Sequence, residues 1–447
     1  MIHTYKNHIK RIVALAYPVT IGQLGHIMLG VVDSIMVGRV GAVSLAAASL
    51  VNGLVFLVMV FGLGMSLAIT PLVAIAKGQE NHKECGAVLQ NALLVNSLLA
   101  VGLTITVYFL SELIFHLNQS PEVATQAASY AKVISLSIFP FMIFQSYRQF
   151  IEGMFYTRPA MYISIGANIV NAFGNWVLIY GNLGFPAYGL DGAGYATLIT
   201  RIFMAFTIMM YVTSSRRFKE FNPTPRLRPI DRVIIKKILN IGIPTGFQHF
   251  FEVGAFAFSA VMIGWLGSKP LAAHQIALNM ASITFMIILG ISAAGTIRVG
   301  NALGRNNMRE VREAAFTAIL MAASIMACFG ITFIIFRTIL PTLYINDPEV
   351  ISMAASLLII AALFQVSDGV QAVGLGVLRG ITDVKIPMII SLVAYWIIAF
   401  PVGYGLGFIL NWGVQGIWVG LLLGLTIAAI FFSLRFHLKT KKMMQQP

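Results

Sequence analysis

Twelve apolar stretches recur along the 447-residue chain, near 12–37, 45–76, 87–110, 126–153, 161–181, 189–213, 234–265, 271–302, 314–340, 350–378, 386–409 and 412–436. A helix of about 20 apolar residues crosses the hydrocarbon core of a bilayer. No other feature restricts the fold as strongly. Composition bears on the same point, since 58% of the residues are hydrophobic and only 10% charged. A soluble domain carries about 25% charged residues, so the apolar surface of this chain must face lipid. The expected fold is all-α, a polytopic membrane protein of twelve transmembrane helices.

The long polar stretch, Ser214–Lys237, holds Arg216, Arg217, Lys219, Arg226, Arg228, Arg232, Lys236 and Lys237 with Pro223, Pro225 and Pro229. Prolines at that density suit a linker rather than a helix in lipid. The chain is therefore read as a six-helix lobe over 1–213, a basic linker over 214–233 and a second six-helix lobe over 234–447. Twelve spans put both termini and the linker on one side. Twenty-five of the thirty Lys and Arg then fall on that side, all but Arg39, Lys132, Arg201, Lys269 and Arg337. By the positive-inside rule that side is cytoplasmic. The net charge of +14 is thereby explained without a nucleic-acid partner. Met1–Arg11, short and basic, runs directly into the first span and predicts no cleaved leader. The two cysteines, Cys85 and Cys328, imply no disulfide framework.

The lobes are related in sequence. At an offset of 226, Pro18 falls on Pro244, Gly38 on Gly264, Gly41 on Gly267, Leu45-Ala46-Ala47 on Leu271-Ala272-Ala273, and Asn81 on Asn307. Later Gly189 and Gly192 fall on Gly413 and Gly416. Six helices per repeat give both lobes the same orientation, a parallel repeat of the kind transporters use.

Ionisable groups inside membrane helices are costly and usually face a cavity or a partner. Three carboxylates are so placed: Asp33, Glu252 and Asp368. Gln23, His26, Gly30 and Asp33 form one stripe of the first span. The aligned positions of the seventh span are His249, Glu252, Phe256 and Ser259, so the acid sits at a different depth there. Gln365, Asp368 and Gln371 share a face, as do Asn168, Asn171 and Asn175, with Thr197 on the next span. His274, Gln275 and Asn279 add polarity to the eighth. The functional reading is a cavity between the lobes whose walls carry these groups, Gln23 and His249 among them, with Phe364 as an apolar element of the substrate's binding surface. A carboxylate in low dielectric can keep a proton near neutrality, and Asp33 with Asn and Thr oxygens equally offers hard ligands for Na⁺. The plainer alternative is that Asn and Gln bond neighbouring helices, that His26, His249 and His274 are structural, and that Glu152 pairs with Arg148 one turn away.

There is no GxxxxGK[ST] phosphate loop, no HExxH and no cysteine cluster with metal spacing. Transport would therefore draw on an ion gradient or a separate motor. A flippase for a lipid-linked precursor would prefer a basic cavity, for which Arg148 and Arg201 are the chief candidates. A membrane-embedded enzyme would need a tighter His and acid cluster than His26 and Asp33 provide.

Pro18 with Asp33-Ser-Ile-Met-Val-Gly-Arg-Val-Gly-Ala, Pro244 with Glu252, Leu-Ala-Ala-His-Gln at 271–275, and Arg379-Gly with Thr382-Asp383 and Pro387 resemble the multidrug and toxin extrusion (MATE) family over essentially the whole chain. Acids in both the seventh and tenth spans resemble its NorM branch. The resemblance implies two six-helix bundles and antiport of cationic, amphipathic compounds against Na⁺ or H⁺. It implies a first cation site at Asp33, Asn171, Asn175 and Thr197, with Na⁺ held at Asp33, Asn171 and Asn175. It implies a second at Glu252 and Asp368 with Gln275 nearby. Some relatives carry Asp where this chain has Asn175, which leaves the choice of Na⁺ or H⁺ open. His26, aligned with Glu252, has no role in that scheme. The expected protein is a monomer in the inner membrane. It uses no cofactor, and its partners are cationic small molecules and membrane lipids.

Overall fold

A computed structural model describes residues 2–117, 119–221 and 230–445, with side chains from Lys6 onward. Linker residues Pro223, Pro225, Arg226, Arg228 and Pro229 lie outside the described residues. The described residues form helices and turns, with no strand among them. The first half contains α1 (Ile2–Gly38), α2 (Ala42–Ser66), α3 (Ile69–Gly78), α4 (His82–Leu113), α5 (Pro121–Leu136), α6 (Ile138–Gly153), α7 (Arg158–Leu178) and α8 (Gly189–Ser214). The second contains α9 (Arg232–Gly264), α10 (Ser268–Gly304), α11 (Met308–Phe336), α12 (Pro348–Gly380), α13 (Lys385–Leu392), α14 (Phe400–Tyr404) and α15 (Gly413–Gln445).

Three of the twelve expected spans are broken helices: α2 with α3, α5 with α6, and α13 with α14. Proline places the breaks. Pro71, Pro140 and Pro387 each occupy the third position of the helix after a break or turn, and Pro401 the second. Proline has no N–H to give to the preceding turn and is best placed in the first turn of a helix, although Pro18 and Pro244 sit inside α1 and α9, as membrane helices allow. Around Pro401 the backbone widens into two π-helical segments, Val393–Ala399 and Gly405–Ile409. Eleven helical segments among the described residues are long and apolar enough to cross a membrane. The remaining expected span, α7, has 21 residues. Its hydropathy is lowered by Asn168, Asn171 and Asn175.

The repeat appears in local geometry. Asn81 and Asn307, aligned at the offset of 226, each cap a helix by accepting a hydrogen bond from the backbone N–H of Glu84 and Glu310, both at 3.1 Å. The residues just before them, Glu80 and Asn306, are both left-handed, with φ of 57° and 55°. Gly189 and Gly413 share φ of 55° and 59°, a conformation glycine adopts without the Cβ penalty. The chain is thus two pseudo-symmetric sets of six spans.

Contacts divide the chain into two compact units, Ile21–Gly246 and Met1–Thr20 with Phe247–Pro447. Both cuts fall inside helices, in α1 and α9, at positions that the repeat aligns. The division drawn from the sequence instead runs through the linker. In the unit Ile21–Gly246, α8 packs on α5, α6 and α7. The described start of the linker turns back onto this unit, where Phe218 is buried against Phe150, Tyr156 and Tyr211. In the other unit α12 is central and packs on α10, α11 and α15.

Small residues let backbones approach where hydrophobic association offers little drive. A Cβ at Gly420 of α15 would stand 2.6 Å from the Ala399 carbonyl oxygen and the Gly403 Cα. Gly420→Leu should lower stability by about 1–3 kcal/mol, read as a lower thermal unfolding midpoint of the purified protein. Gly102→Leu, where a Cβ meets nothing within 4 Å, should leave it unchanged. An unaltered midpoint for Gly420→Leu would contradict the packing described.

Candidate cation sites

In the unit Ile21–Gly246, Asp33 projects from α1 toward α7 and α8. Asn175 Nδ2 donates to Asp33 Oδ1 at 2.6 Å, and Thr197 Oγ1 donates to Asp33 Oδ2 at 3.2 Å. Asn171 Oδ1 accepts from Asn175 Nδ2 at 3.3 Å. Asn171 and Asn175 are buried, while Asp33 and Thr197 are partly exposed. The Asn175 Oδ1 has no hydrogen-bond partner. At Gly30, one turn before Asp33 on the same face, a Cβ would meet nothing within 4 Å, so the stripe is open beside the acid. The four residues of the expected first site are therefore brought together. Their oxygens suit a hard monovalent cation.

Asn168, on the same face of α7, does a different job. Its Nδ2 donates to the carbonyls of Gly25 at 2.9 Å and Ser164 at 2.8 Å, fastening α7 to α1. Tyr180 does the same at the far end, donating to the Met36 carbonyl at 2.8 Å. Together these bonds fix the α1–α7 register that brings Asn175 to Asp33.

In the other unit, Gln248 Nε2 donates to Glu252 Oε2 at 2.8 Å, and Gln371 Nε2 donates to Glu252 Oε1 at 3.3 Å. Glu252 and Asp368 are 8% and 6% exposed, so they are nearly enclosed where Asp33 is open. No hydrogen bond reaches the Asp368 carboxylate among the described residues. Tyr395, from the π-helical segment, is fully buried and its hydroxyl lacks a partner. It lies within electrostatic reach of both acids. The Oε1 atoms of Gln248 and Gln371 are also without partners. Both amides thus turn their N–H groups to Glu252 and leave oxygens over. π-helical turns often mark functional positions.

Neither Asp33, Glu252 nor Asp368 forms an ion pair with Lys or Arg among the described residues; the one charged-type contact is His249 Nδ1 to Glu252 Oε2 at 3.9 Å. Two arginines do approach from other helices. Arg201, one turn after Thr197, donates to Ser137 Oγ at 2.8 Å and lies over the Phe141 ring at 4.8 Å. Arg379 reaches His249 Nε2 at 3.5 Å. Both act on the acids through space, which spacing along a single helix does not reveal.

Several expected residues stand elsewhere. Gln275 is exposed on α10 and makes no hydrogen bond to either acid. Phe364 was expected on the binding surface. It is instead 2% exposed and packed with Ala255, Ala281, Tyr395, Leu421 and Leu425, because its ring also sits 5.5 Å from the ring of Trp418. Gln23 accepts from Arg148 Nη1 at 3.4 Å, and Arg148 Nε binds Glu152 Oε1 at 2.7 Å. The plainer account of that pair is the one the contacts show. His26 stacks on Phe141 with centroids 5.3 Å apart. His274 Nδ1 accepts from Trp418 Nε1 at 3.1 Å, a structural bond.

The fold and its sites define a polytopic helical membrane protein with a polar, carboxylate-bearing interior in each unit. The MatE family model matches the chain twice, over residues 18–177 and 244–405, once per repeat. The chain is 31% identical to the probable multidrug resistance protein NorM of Xylella fastidiosa (strain 9a5c), over 99% of this chain and 94% of that protein. It is 35% identical to the multidrug resistance protein MdtK of Yersinia pseudotuberculosis serotype O:1b (strain IP 31758), over 96% of this chain and 95% of that protein. Among solved structures, a MATE protein in the bent conformation superposes with a TM-score of 0.90 at 22% identity, covering 98% of this chain and 96% of that one. The chain belongs to the MatE family of membrane transporters.

The Arg148–Glu152 pair lies in the interior, with side chains 7% and 3% exposed. Arg148→Gln should destabilise the protein by about 3–5 kcal/mol, since removing one partner leaves a buried charge uncompensated. Adding Glu152→Gln should recover a large part of that loss. Thermal unfolding of the two variants tests this, and equal destabilisation in both would contradict it.

Proposed function

We propose that this chain is a secondary-active multidrug exporter. It carries cationic, amphipathic small molecules out of the cell in antiport with Na⁺ or H⁺. The observation that carries the reading is the pairing of interior carboxylates with neutral donors: Asp33 with Asn175 and Thr197, Glu252 with Gln248 and Gln371. A carboxylate held this way keeps its place when its charge is compensated by an exchangeable cation. A substrate cation and a coupling cation can then compete for the same negative groups. The names of the relatives, multidrug resistance proteins in each case, support the same reading.

Direction follows from linkage. A ligand moves a conformational equilibrium only if it binds the two states unequally. The coupling ion must favour the state that releases substrate, and substrate the state that loads it. Asp33, partly exposed, is the more accessible acid. A cation reaching Glu252 and Asp368 must pass the side chains that enclose them.

Residue roles follow from position. Asp33, Glu252 and Asp368 carry the exchangeable charge. Asn171, Asn175 and Thr197 position Asp33 and can share a Na⁺ with it, and His249 links Glu252 to Arg379. The protein sits in the inner membrane as a monomer with both termini cytoplasmic, and works as a transporter rather than an enzyme, without a cofactor. The flippase alternative is disfavoured by the basic residues it would need: Arg148 is engaged by Glu152 and Gln23, and Arg201 by Ser137 and Phe141.

Asp33→Asn, Glu252→Gln and Asp368→Asn should each abolish ion-driven ethidium efflux in everted vesicles while the protein remains at normal abundance in the membrane. Full efflux by all three would overturn the reading. Asn175→Ala removes the shortest bond to Asp33. It should raise the half-saturating concentration of the coupling ion about tenfold, the size of a lost hydrogen bond to a charged group. Purified protein in vesicles, with Na⁺ and pH gradients imposed separately, gives this value and identifies the ion. An unchanged value would remove Asn175 from the site.

A further inference from the structure

The two units share a capped turn at the start of α4 and α11, but they close it differently. In the unit Ile21–Gly246, Glu84 Oε1 accepts from Lys237 Nζ at 2.7 Å. The repeat aligns Glu84 with Glu310 and Lys237 with Arg11, so the matching pair would be Glu310 with Arg11. In the unit of Met1–Thr20 with Phe247–Pro447, Glu310 is taken by other cations. Arg298 Nη2 lies 3.0 Å from its Oε1 and Arg305 Nη2 lies 2.8 Å from its Oε2. The second acid, Glu313, binds Arg309 Nε at 2.8 Å and His8 Nε2 at 3.4 Å. Arg11 is left with no carboxylate partner among the described residues.

Arg11 borders a pocket of about 350 Å³, with Asn7, His8, Asn307, Arg309, Glu310 and Glu313. His8 Nδ1 accepts from Arg298 Nη2 at 3.0 Å, so the remaining ring nitrogen carries the hydrogen toward Glu313 and the ring adds no charge. Arg11 and Arg309 line the pocket with Glu310 and Glu313, and Arg298 and Arg305 reach Glu310 from beyond the lining, so these four guanidinium groups stand against two carboxylates, an excess of two positive charges among them. This chemistry belongs to one half alone. The positions aligned with His8, Arg298 and Glu313 are Ile234, Leu72 and Ala87.

We propose that this pocket is a binding site for a phosphate group, with Arg11 as its anchoring cation. Guanidinium clusters suit phosphate because their paired N–H groups match two oxygens of one group. The pocket lies where α10 ends and α11 begins, at the ends of spanning helices. Basic residues in such juxtamembrane positions attract anionic lipid headgroups. The phosphate can come from a phospholipid headgroup or from solution. Bound there, it bridges the first half of α1 to the α10–α11 turn of the same unit.

The test uses the full-length protein in phosphatidylcholine nanodiscs. Inorganic phosphate is added in one arm, and part of the lipid is replaced by phosphatidylglycerol in the other. Either ligand should raise the unfolding midpoint by about 2–4 °C. A response to phosphatidylglycerol alone assigns a lipid headgroup, and a response to inorganic phosphate alone assigns a soluble ligand. Arg11→Gln should raise the ligand level needed for half the shift about tenfold. Asn7→Glu keeps Arg11 and puts a competing carboxylate in the pocket, so it should do the same. Lys237→Gln, at the matching position of the other unit, should respond as wild type. No shift with either ligand, or an unchanged half-point in both pocket variants, overturns the proposal.

Discussion

A carboxylate set among apolar helices must have its charge met, and how it is met decides what the protein can do. A fixed arginine makes the charge structural, as Glu152 shows with Arg148 at 2.7 Å. Asp33 and Glu252 are met by amides and hydroxyls instead. These donors orient the carboxylate and leave its net charge uncompensated. The side-chain oxygens of Asn175, Gln248 and Gln371, and the Tyr395 hydroxyl, are buried without hydrogen-bond partners. Burying such polar atoms unpaired costs about 1–3 kcal/mol each, a cost that a bound ion would offset. The same physics explains why the arginines stay at a distance. Arg201 is tied to Ser137 and Phe141, and Arg379 contacts His249, which lies 3.9 Å from Glu252.

The internal repeat supplies the scaffold and leaves its polar contents free to differ. Aligned caps, left-handed residues and close glycines recur in both halves, because backbone geometry constrains them. The sites do not recur. His26 stands where the repeat places Glu252, and stacks on Phe141. Asp33 falls on Ser259, which merely returns its hydroxyl to the Ala255 carbonyl at 2.9 Å. One unit therefore holds a partly open acid and the other an enclosed pair.

Much of this was legible in the sequence, and the reason is local. Apolar runs, prolines and glycines act within a few residues, so twelve spans and the repeat could be read directly, while the breaks inside three of the spans could not. The cluster around Asp33 was also legible, since Asn171 and Asn175 share a face of α7. Contacts between distant helices were not. Nothing in the spacing marks Tyr395, which lies in the π-helical segment Val393–Ala399 within electrostatic reach of both acids. Gln248 lies four residues before Glu252, a spacing that is visible in the sequence. Phe364 precedes Asp368 by one turn yet faces a packed aromatic cluster, and Gln275 points away while its neighbour His274 is the buried one. Periodicity gives a face; only packing says what that face meets.

Exchange of one cation for another on the interior carboxylates is open to direct test. The most direct measurement is the release of H⁺ or Na⁺ when a lipophilic cation such as tetraphenylphosphonium binds to the purified protein. Exchange predicts release in step with binding, and loss of both when Asp33, Glu252 and Asp368 are neutralised together. Binding of undiminished affinity with no cation released, or release that survives the triple substitution, would contradict it.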